Sequence, residues 1–317
     1  MATLYLDRKS LELRHEGQHL CLYEAGERRG TVPLNLLERV VMRGQASVTT
    51  GALGALAEAG ISLLVLGGRQ GRVPAILQGR WHGDTRRRIA QYRWHHDEPY
   101  RLDWARRLVL LKLRQQTAFL RQAQATRPDR RAPLGQAIAQ LRRASDGLQA
   151  EAVASLSLGR LNGIEGAGAA AYFAAYTTLF PAGLDFTGRN RRPPRDPVNA
   201  ALSLGYTLLH ADAARACHLN GLDPYVGFFH EPAHRRESLA ADLIEPLRPR
   251  IDHWVWRLFA DRELRAEDFS REDGGCLMKK KARSLFYARY ETLAPPLRRL
   301  LRRHGLVVAR RLLEDHP

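Results

Sequence analysis

Through the first eighty residues apolar and polar positions alternate in short runs, and from Asp103 onward apolar residues recur at helical spacing. Thr3–Leu6, Ser10–Arg14, His19–Tyr23 and Arg29–Val32 each read as a β segment, and the Asp-Arg, Glu-Gly and Ala-Gly-Glu turns between them predict hairpins. Leu36–Met42 and Ile61–Leu66 are apolar strand candidates flanking Ser47–Ala59, whose Ser and Thr caps and helix formers predict a helix. Arg72–Leu77 makes a last strand. Gln78–Pro99, with Arg86, Arg87 and Arg88 and little apolar periodicity, reads as a linker or a basic connection. Beyond it, spacings such as Leu108, Leu111 and Gln115, or Leu148, Val153 and Leu156, predict helices, with a surface loop at Arg127–Pro133. The expectation is an α+β protein: a small β-rich domain over residues 1–80, a linker over 81–99, and a larger all-α domain over 100–317.

Charge narrows the partners. Against 33 Asp and Glu stand 50 Lys and Arg, a net charge of +17, which predicts attraction to a polyanion. No long basic amphipathic helix suggests a membrane surface, so nucleic acid is the expected partner. Only Lys9, Lys112, Lys279, Lys280 and Lys281 are lysines; the other 45 cations are arginines, a bias that a GC-rich genome also explains. Cys21, Cys217 and Cys276 are far apart and form no C-x-x-C pair, which argues against a disulfide framework or a cysteine zinc site. With a charged N-terminus and apolar runs too short to span a bilayer, the expected location is the cytoplasm.

Three stretches carry candidate chemistry. Asp196-Pro197 marks a helix start, after which Asn199, Ser203, Tyr206 and His210 share one face. That polar stripe fits either the lining of a polar cavity or a hydrogen-bond seam between helices. Next, Ser238 is a candidate N-cap of a short helix that projects Asp242 and Glu245 from one face, downstream of His230. Two carboxylates and an imidazole suit Mg²⁺ or Mn²⁺, although pairing with Arg248 or Arg250 would also satisfy the acids. Lastly, Glu165 borders small residues Gly166, Ala170 and Ala174, a spacing that lets another helix approach closely. A metal, an arginine or plain exposure near a helix start would each satisfy that carboxylate. His230 to His234 also matches H-E-x-x-H, but Pro232 breaks the helix that a zinc-protease site needs.

The ordered run Glu165-Gly-x-Ala/Gly-x-x-x-Tyr172-Phe173, Arg195-Asp196-Pro197-Val-Asn199-Ala-x-Leu-Ser203-x-Gly205-Tyr206, Gly221-Leu-Asp-Pro224-Tyr-x-Gly227-Phe-x-His230 and Ser238-Leu-x-x-Asp242-Leu-x-Glu245-Pro-x-Arg248-Pro resembles CRISPR-associated protein 1. The resemblance implies a β-rich domain that forms a homodimer and an α-helical domain that holds one divalent ion, Mg²⁺ or Mn²⁺, through Glu165, His230 and Glu245. It implies Asp242 as an orienting or alternative ligand, and Asn199, Ser203, Tyr206 and His210 as catalytic support. The implied activity is metal-dependent cleavage of DNA phosphodiester bonds, a hydrolase reaction. With a dimer of CRISPR-associated protein 2, it extends to integration of spacer DNA into a CRISPR array for antiviral defence. Double-stranded DNA would meet basic runs: Arg86–Arg88, Arg189, Arg191 and Arg192, Arg235 and Arg236, Lys279 to Lys281, and Arg298 through Arg303. A DNA-binding scaffold whose acids only pair with arginines is the competing expectation.

Overall fold

The structure is a computed structural model that describes residues 2–8, 10–67, 72–80, 82–190, 193–272 and 274–314. In chain order its elements are β1 (Ala2–Asp7), β2 (Leu11–Glu16), β3 (His19–Glu24), β4 (Glu27–Pro33), β5 (Leu37–Arg43), β6 (Ala46–Val48), α1 (Thr50–Glu58), β7 (Ser62–Gly67) and β8 (Arg72–Leu77). There follow α2 (Arg86–His96), α3 (Glu98–Thr126), α4 (Arg131–Ala150), α5 (Leu158–Thr177), α6 (Pro197–Leu219), α7 (Ser238–Ile244), α8 (Arg248–Ala260), the hairpin β9 (Phe269–Glu272) and β10 (Gly275–Met278), and α9 (Lys280–Glu314). The protein is α+β, with a strand-rich N-terminal part and a larger helical part.

The chain divides into two compact units: residues 1–83 with 280–296, and residues 84–279 with 297 onward. In the first, one sheet has the order β1-β5-β7-β8, parallel except for β8, and another has the order β4-β3-β2-β6. Leu11 and Leu13 of β2, Leu20 of β3, Val40 and Met42 of β5, and Ala52 and Leu56 of α1 form one core. The inner strand β5 buries every residue from Leu37 to Met42, which is why it reads as a block rather than an alternation. Helix α1 begins later than expected. Ala46–Val48 pairs with β2 as β6, and Thr49 caps the helix by accepting from the Ala52 N–H at 3.3 Å.

In the second unit α3 packs on α4, α5 and α8, while α6 packs on α7 and α8. Helix α6 is buried nearly all round, as a central helix of a large core must be. Close approach at α5 occurs at Gly168, where a Cβ would lie 2.6 Å from Leu113 Cδ2 of α3. Gly166, Ala170 and Ala174, expected to provide that surface, are exposed.

The stretch 81–99, expected to be a linker, carries α2 and the start of α3. Helix α2 escapes an apolar-periodicity reading because its buried stripe is Ala90, Gln91 and Trp94, with a glutamine in it. The Gln91 Nε2 group donates to the Asp223 and Val226 carbonyls at 2.8 and 2.6 Å, and its Oε1 accepts from the Asp223 N–H at 2.8 Å. The β9–β10 hairpin interrupts the expected all-α region; four residues per strand are too few for an alternation to register. Among the described residues no helix is long and apolar enough to cross a membrane.

Candidate active site

The site is built around a carboxylate that has no solvent exposure. Asp242 of α7 accepts from the backbone N–H groups of Phe228 and Phe229 through Oδ2, at 2.7 and 3.0 Å, and from that of His230 through Oδ1 at 3.0 Å. The His230 ring adds a fourth contact, Nδ1 at 2.6 Å from Oδ1. These four contacts occupy the acceptor sites of the carboxylate and hold the His230 ring against it. Asp242 curls the loop after Gly227 around itself, which demands glycine there: a Cβ would sit 2.7 Å from Asp242 Oδ2 and 2.8 Å from the Ser238 carbonyl carbon. A carboxylate at Nδ1 assigns the ring hydrogen to that nitrogen and leaves Nε2 with its lone pair.

That Nε2 lies 4.0 Å from Oε1 of Glu245, which begins a single 3₁₀ turn between α7 and α8. Glu245 is almost wholly buried and doubly paired: Arg248 Nε is 2.9 Å from Oε1, and the Lys112 ammonium donates to Oε2. Burial pushes the Glu245 carboxyl up, but the Arg248 and Lys112 charges outweigh it and hold the group down at about 2. Lys112 comes from the middle of α3 and donates as well to Oε1 of Glu165, the eighth residue of α5. Glu165 is therefore mid-helix, and dipole complementation at a helix start does not explain it; Ser157 caps that helix instead, accepting from the Arg160 N–H.

Glu165, Glu245, His230 and Asp242 are thus brought together, with Lys112 between the two glutamates. Lys112 was missed by sequence reasoning; the available signal was a lone charge within the apolar run Leu110-Leu111-Lys112-Leu113. Among the described residues, no three His, Cys, Asp or Glu side chains are already arranged around a common metal position. The donor set nonetheless fits a hard divalent ion: two glutamates converge on one cation, and the imidazole lone pair is within 4.0 Å of one of them.

The polar stripe of α6 serves several partners. Asn199 and Ser203 accept from Arg189 at 2.7 and 3.1 Å, and Asn199 also donates to the Gly188 carbonyl at 2.8 Å, fixing the preceding loop. The Tyr206 hydroxyl donates to Asp252, while its ring lies under the Arg248 guanidinium at 4.6 Å and near that of Arg189 at 5.4 Å. Tyr206 touches Arg248, which in turn pairs with Glu245, and His210 pairs with Glu237 at 2.8 Å, just ahead of α7. Asp196 caps α6 as expected, accepting from the Asn199 N–H at 2.8 Å. Ser238 does not cap α7; its hydroxyl donates to the Glu231 carbonyl.

Of the basic candidates, Arg235, Arg236, Lys279 and Lys280 are exposed, Arg189 is half-buried in the structural role just described, and Arg191 and Arg192 lie outside the described residues. Arg298 is buried against Asp212 at 2.9 Å. His234 is exposed in a turn, and Glu231 pairs with Arg101, so H-E-x-x-H is not on a helix here. Lys280 lines a cavity in the strand-rich unit with Asp7, Arg8, Arg43 and Arg283.

The family model described as CRISPR associated protein Cas1 matches residues 4–292. The chain belongs to the Cas1 family. It is 37% identical over 99% of its length to CRISPR-associated endonuclease Cas1 1 of Thermodesulfovibrio yellowstonii, covering 98% of that protein. It is 38% identical over 87% of its length to Cas1 2 of Rhodospirillum rubrum, covering 81% of that relative. Among solved structures, a casposase bound to integration product aligns with TM-score 0.85 at 21% identity, over 99% of this chain and 91% of that one. A Cas1 protein from Thermotoga maritima aligns with TM-score 0.83 at 21% identity, over 99% and 97%. At such identities these two establish a shared Cas1 fold.

Proposed function

We propose that this Cas1 family member is a divalent-metal-dependent DNA endonuclease and strand-transfer enzyme that inserts spacer DNA into a CRISPR array. The observation that carries the reading is the meeting of Glu165 and Glu245 on one cationic group beside the free lone pair of His230. The names of its relatives, endonucleases of CRISPR systems, and the integration product held by the similar casposase support it. Glu165, Glu245 and His230 Nε2 would hold Mg²⁺ or Mn²⁺, which when bound supplies Lewis-acid polarisation of a phosphodiester. Asp242 keeps the imidazole in the ligating tautomer, Arg248 keeps Glu245 ionised, and exposed arginines draw in the DNA backbone. A homodimer formed through the strand-rich unit, and a dimer of the Cas2 protein as partner, belong to the same proposal; a solved Cas6-RT-Cas1–Cas2 complex, one chain of which carries this fold over 35% of its length, supports the second.

The rival is a DNA-binding scaffold, favoured by the pairing of both glutamates with Lys112 and Arg248. Replacing Glu165, His230 or Glu245 by Ala separates the two. Mn²⁺- or Mg²⁺-dependent cleavage and strand transfer should fall by about two orders of magnitude or more, as expected for loss of a site ligand. Binding to duplex DNA should stay within a few-fold of wild type. His234→Ala should leave cleavage nearly unchanged. No metal-dependent cleavage or strand transfer by the wild-type protein would leave the scaffold standing, and full activity in all three triad variants would place the chemistry at other residues.

A further inference from the structure

We propose that Lys112 is a resident counter-ion of the acidic site: its ammonium and a divalent ion compete for Glu165 and Glu245, and this competition sets how tightly the ion is held. The inference rests on the metal-site reading above and goes beyond it by assigning a role to a residue outside the ligand set.

Glu245 has both oxygens engaged, Oε1 by Arg248 and Oε2 by Lys112, while Glu165 Oε1 is engaged by Lys112. A divalent ion taking either glutamate must therefore meet a fixed positive charge or move it. Arg248 is the anchored one, lying over the Tyr206 ring at 4.6 Å and only three residues from Glu245 on the same turn. Lys112 reaches the site from another helix on a flexible four-carbon stem, and its compact ammonium can withdraw without breaking a bidentate pair. An arginine there would grip with a planar fork. In a chain with 45 arginines and five lysines, the one lysine buried in the helical unit stands where a displaceable cation is needed.

The arrangement has two consequences. Without the ammonium, the partly buried Glu165 carboxylate would face the buried Glu245 carboxylate with Arg248 paired to the second alone, so the site would be less stable until an ion arrived. With it, the acids are neutralised from the moment the helices pack, and the ion is bound by exchange of one cation for another. Exchange weakens binding by the free energy of the lost ammonium contacts.

The test is Mn²⁺ titration of the full-length protein, read by EPR of the free ion, with thermal melting in EDTA and in saturating Mn²⁺. Lys112→Met, of similar length and uncharged, should bind Mn²⁺ tighter than wild type by about tenfold or more, the size of an ordinary coupling between two ligands of one site. Its melting temperature should fall in EDTA and recover in Mn²⁺. Lys112→Arg should bind Mn²⁺ more weakly than wild type, and it serves alone if the Met variant does not fold. Equal or weaker Mn²⁺ binding by Lys112→Met, or equal or tighter binding by Lys112→Arg, overturns the proposal. Glu165→Gln, His230→Ala and Glu245→Gln are titrated alongside. If they bind Mn²⁺ as wild type does, the metal-site reading fails and takes this inference with it. If they lose the ion while the Lys112 variants behave as wild type, the counter-ion role alone fails.

Discussion

Asp242 and Gly227 work as one unit: the carboxylate collects the N–H groups of three consecutive residues only because nothing projects from the residue before them. Adding one methyl at Gly227 places a carbon 2.7 Å from Asp242 Oδ2 and 2.8 Å from backbone, and backbone cannot yield as a side-chain tip can. Gly227→Ala should therefore cost about 1–3 kcal/mol, as overpacking of a tight site does, measured by urea denaturation. The His230 ring should lose its orientation with the loop, so metal-dependent cleavage should fall too. A variant with unchanged stability and cleavage would show that the loop is not held this way. At this scale the acids and the histidine were legible because residue type and order carry the resemblance. Lys112 was not, since a single lysine in a helix ordinarily reads as a solvated charge, and only the packing of α3 on α5 turns it inward.

Helices α5, α6 and α8 are joined by a polar cluster that their apolar faces do not advertise. Asp252 of α8 accepts from the hydroxyls of Tyr172 on α5, at 2.8 Å, and Tyr206 on α6, and its carbonyl accepts from Tyr176 at 2.8 Å. Complete burial pushes its carboxyl up to about 6, although the tyrosine hydroxyls and the charges of Arg248 and Arg189 pull the other way. A carboxyl raised above its unfolded value near 3.8 binds more protons folded than unfolded between those two pH values. Its contribution to stability is therefore greatest at low pH and declines as pH rises from about 4 to about 6. Asp252→Asn cannot titrate, so the difference in unfolding free energy between wild type and variant should shift by roughly 2 kcal/mol across that window, in favour of the variant at higher pH. Parallel stability profiles from pH 4 to 7 would contradict this. Tyr172 and Tyr206 stood in the family-like motif, but spacing alone could not show that both serve Asp252. Helix α2 was hidden for a related reason, because Gln91 fills a buried position that a periodicity reading reserves for an apolar side chain.

Over the whole molecule, a net charge of +17 says that a polyanion is attracted but not which cations do the attracting. The sequence offers Arg235, Arg236 and Arg298 as equivalent members of basic runs, and burial divides them. Arg235 and Arg236 are exposed, whereas Arg298 is buried and spends its charge on Asp212 at 2.9 Å. On the proposed function, duplex DNA affinity should fall linearly on a plot of log affinity against log salt, with a slope that counts the phosphates neutralised. Replacing both Arg235 and Arg236 by Ala should make that slope shallower by up to about two, because each lost phosphate contact removes about 0.9 from it. Arg298→Ala should leave the slope where it was and instead destabilise the fold by about 1–3 kcal/mol, since it removes a buried charge-assisted contact to the buried Asp212. Fluorescence anisotropy across a salt series, run beside urea denaturation, reads both quantities on the same three proteins. If Arg298→Ala flattened the salt dependence while the double variant did not, the phosphate-contacting surface would lie elsewhere than on the turn that carries Arg235 and Arg236.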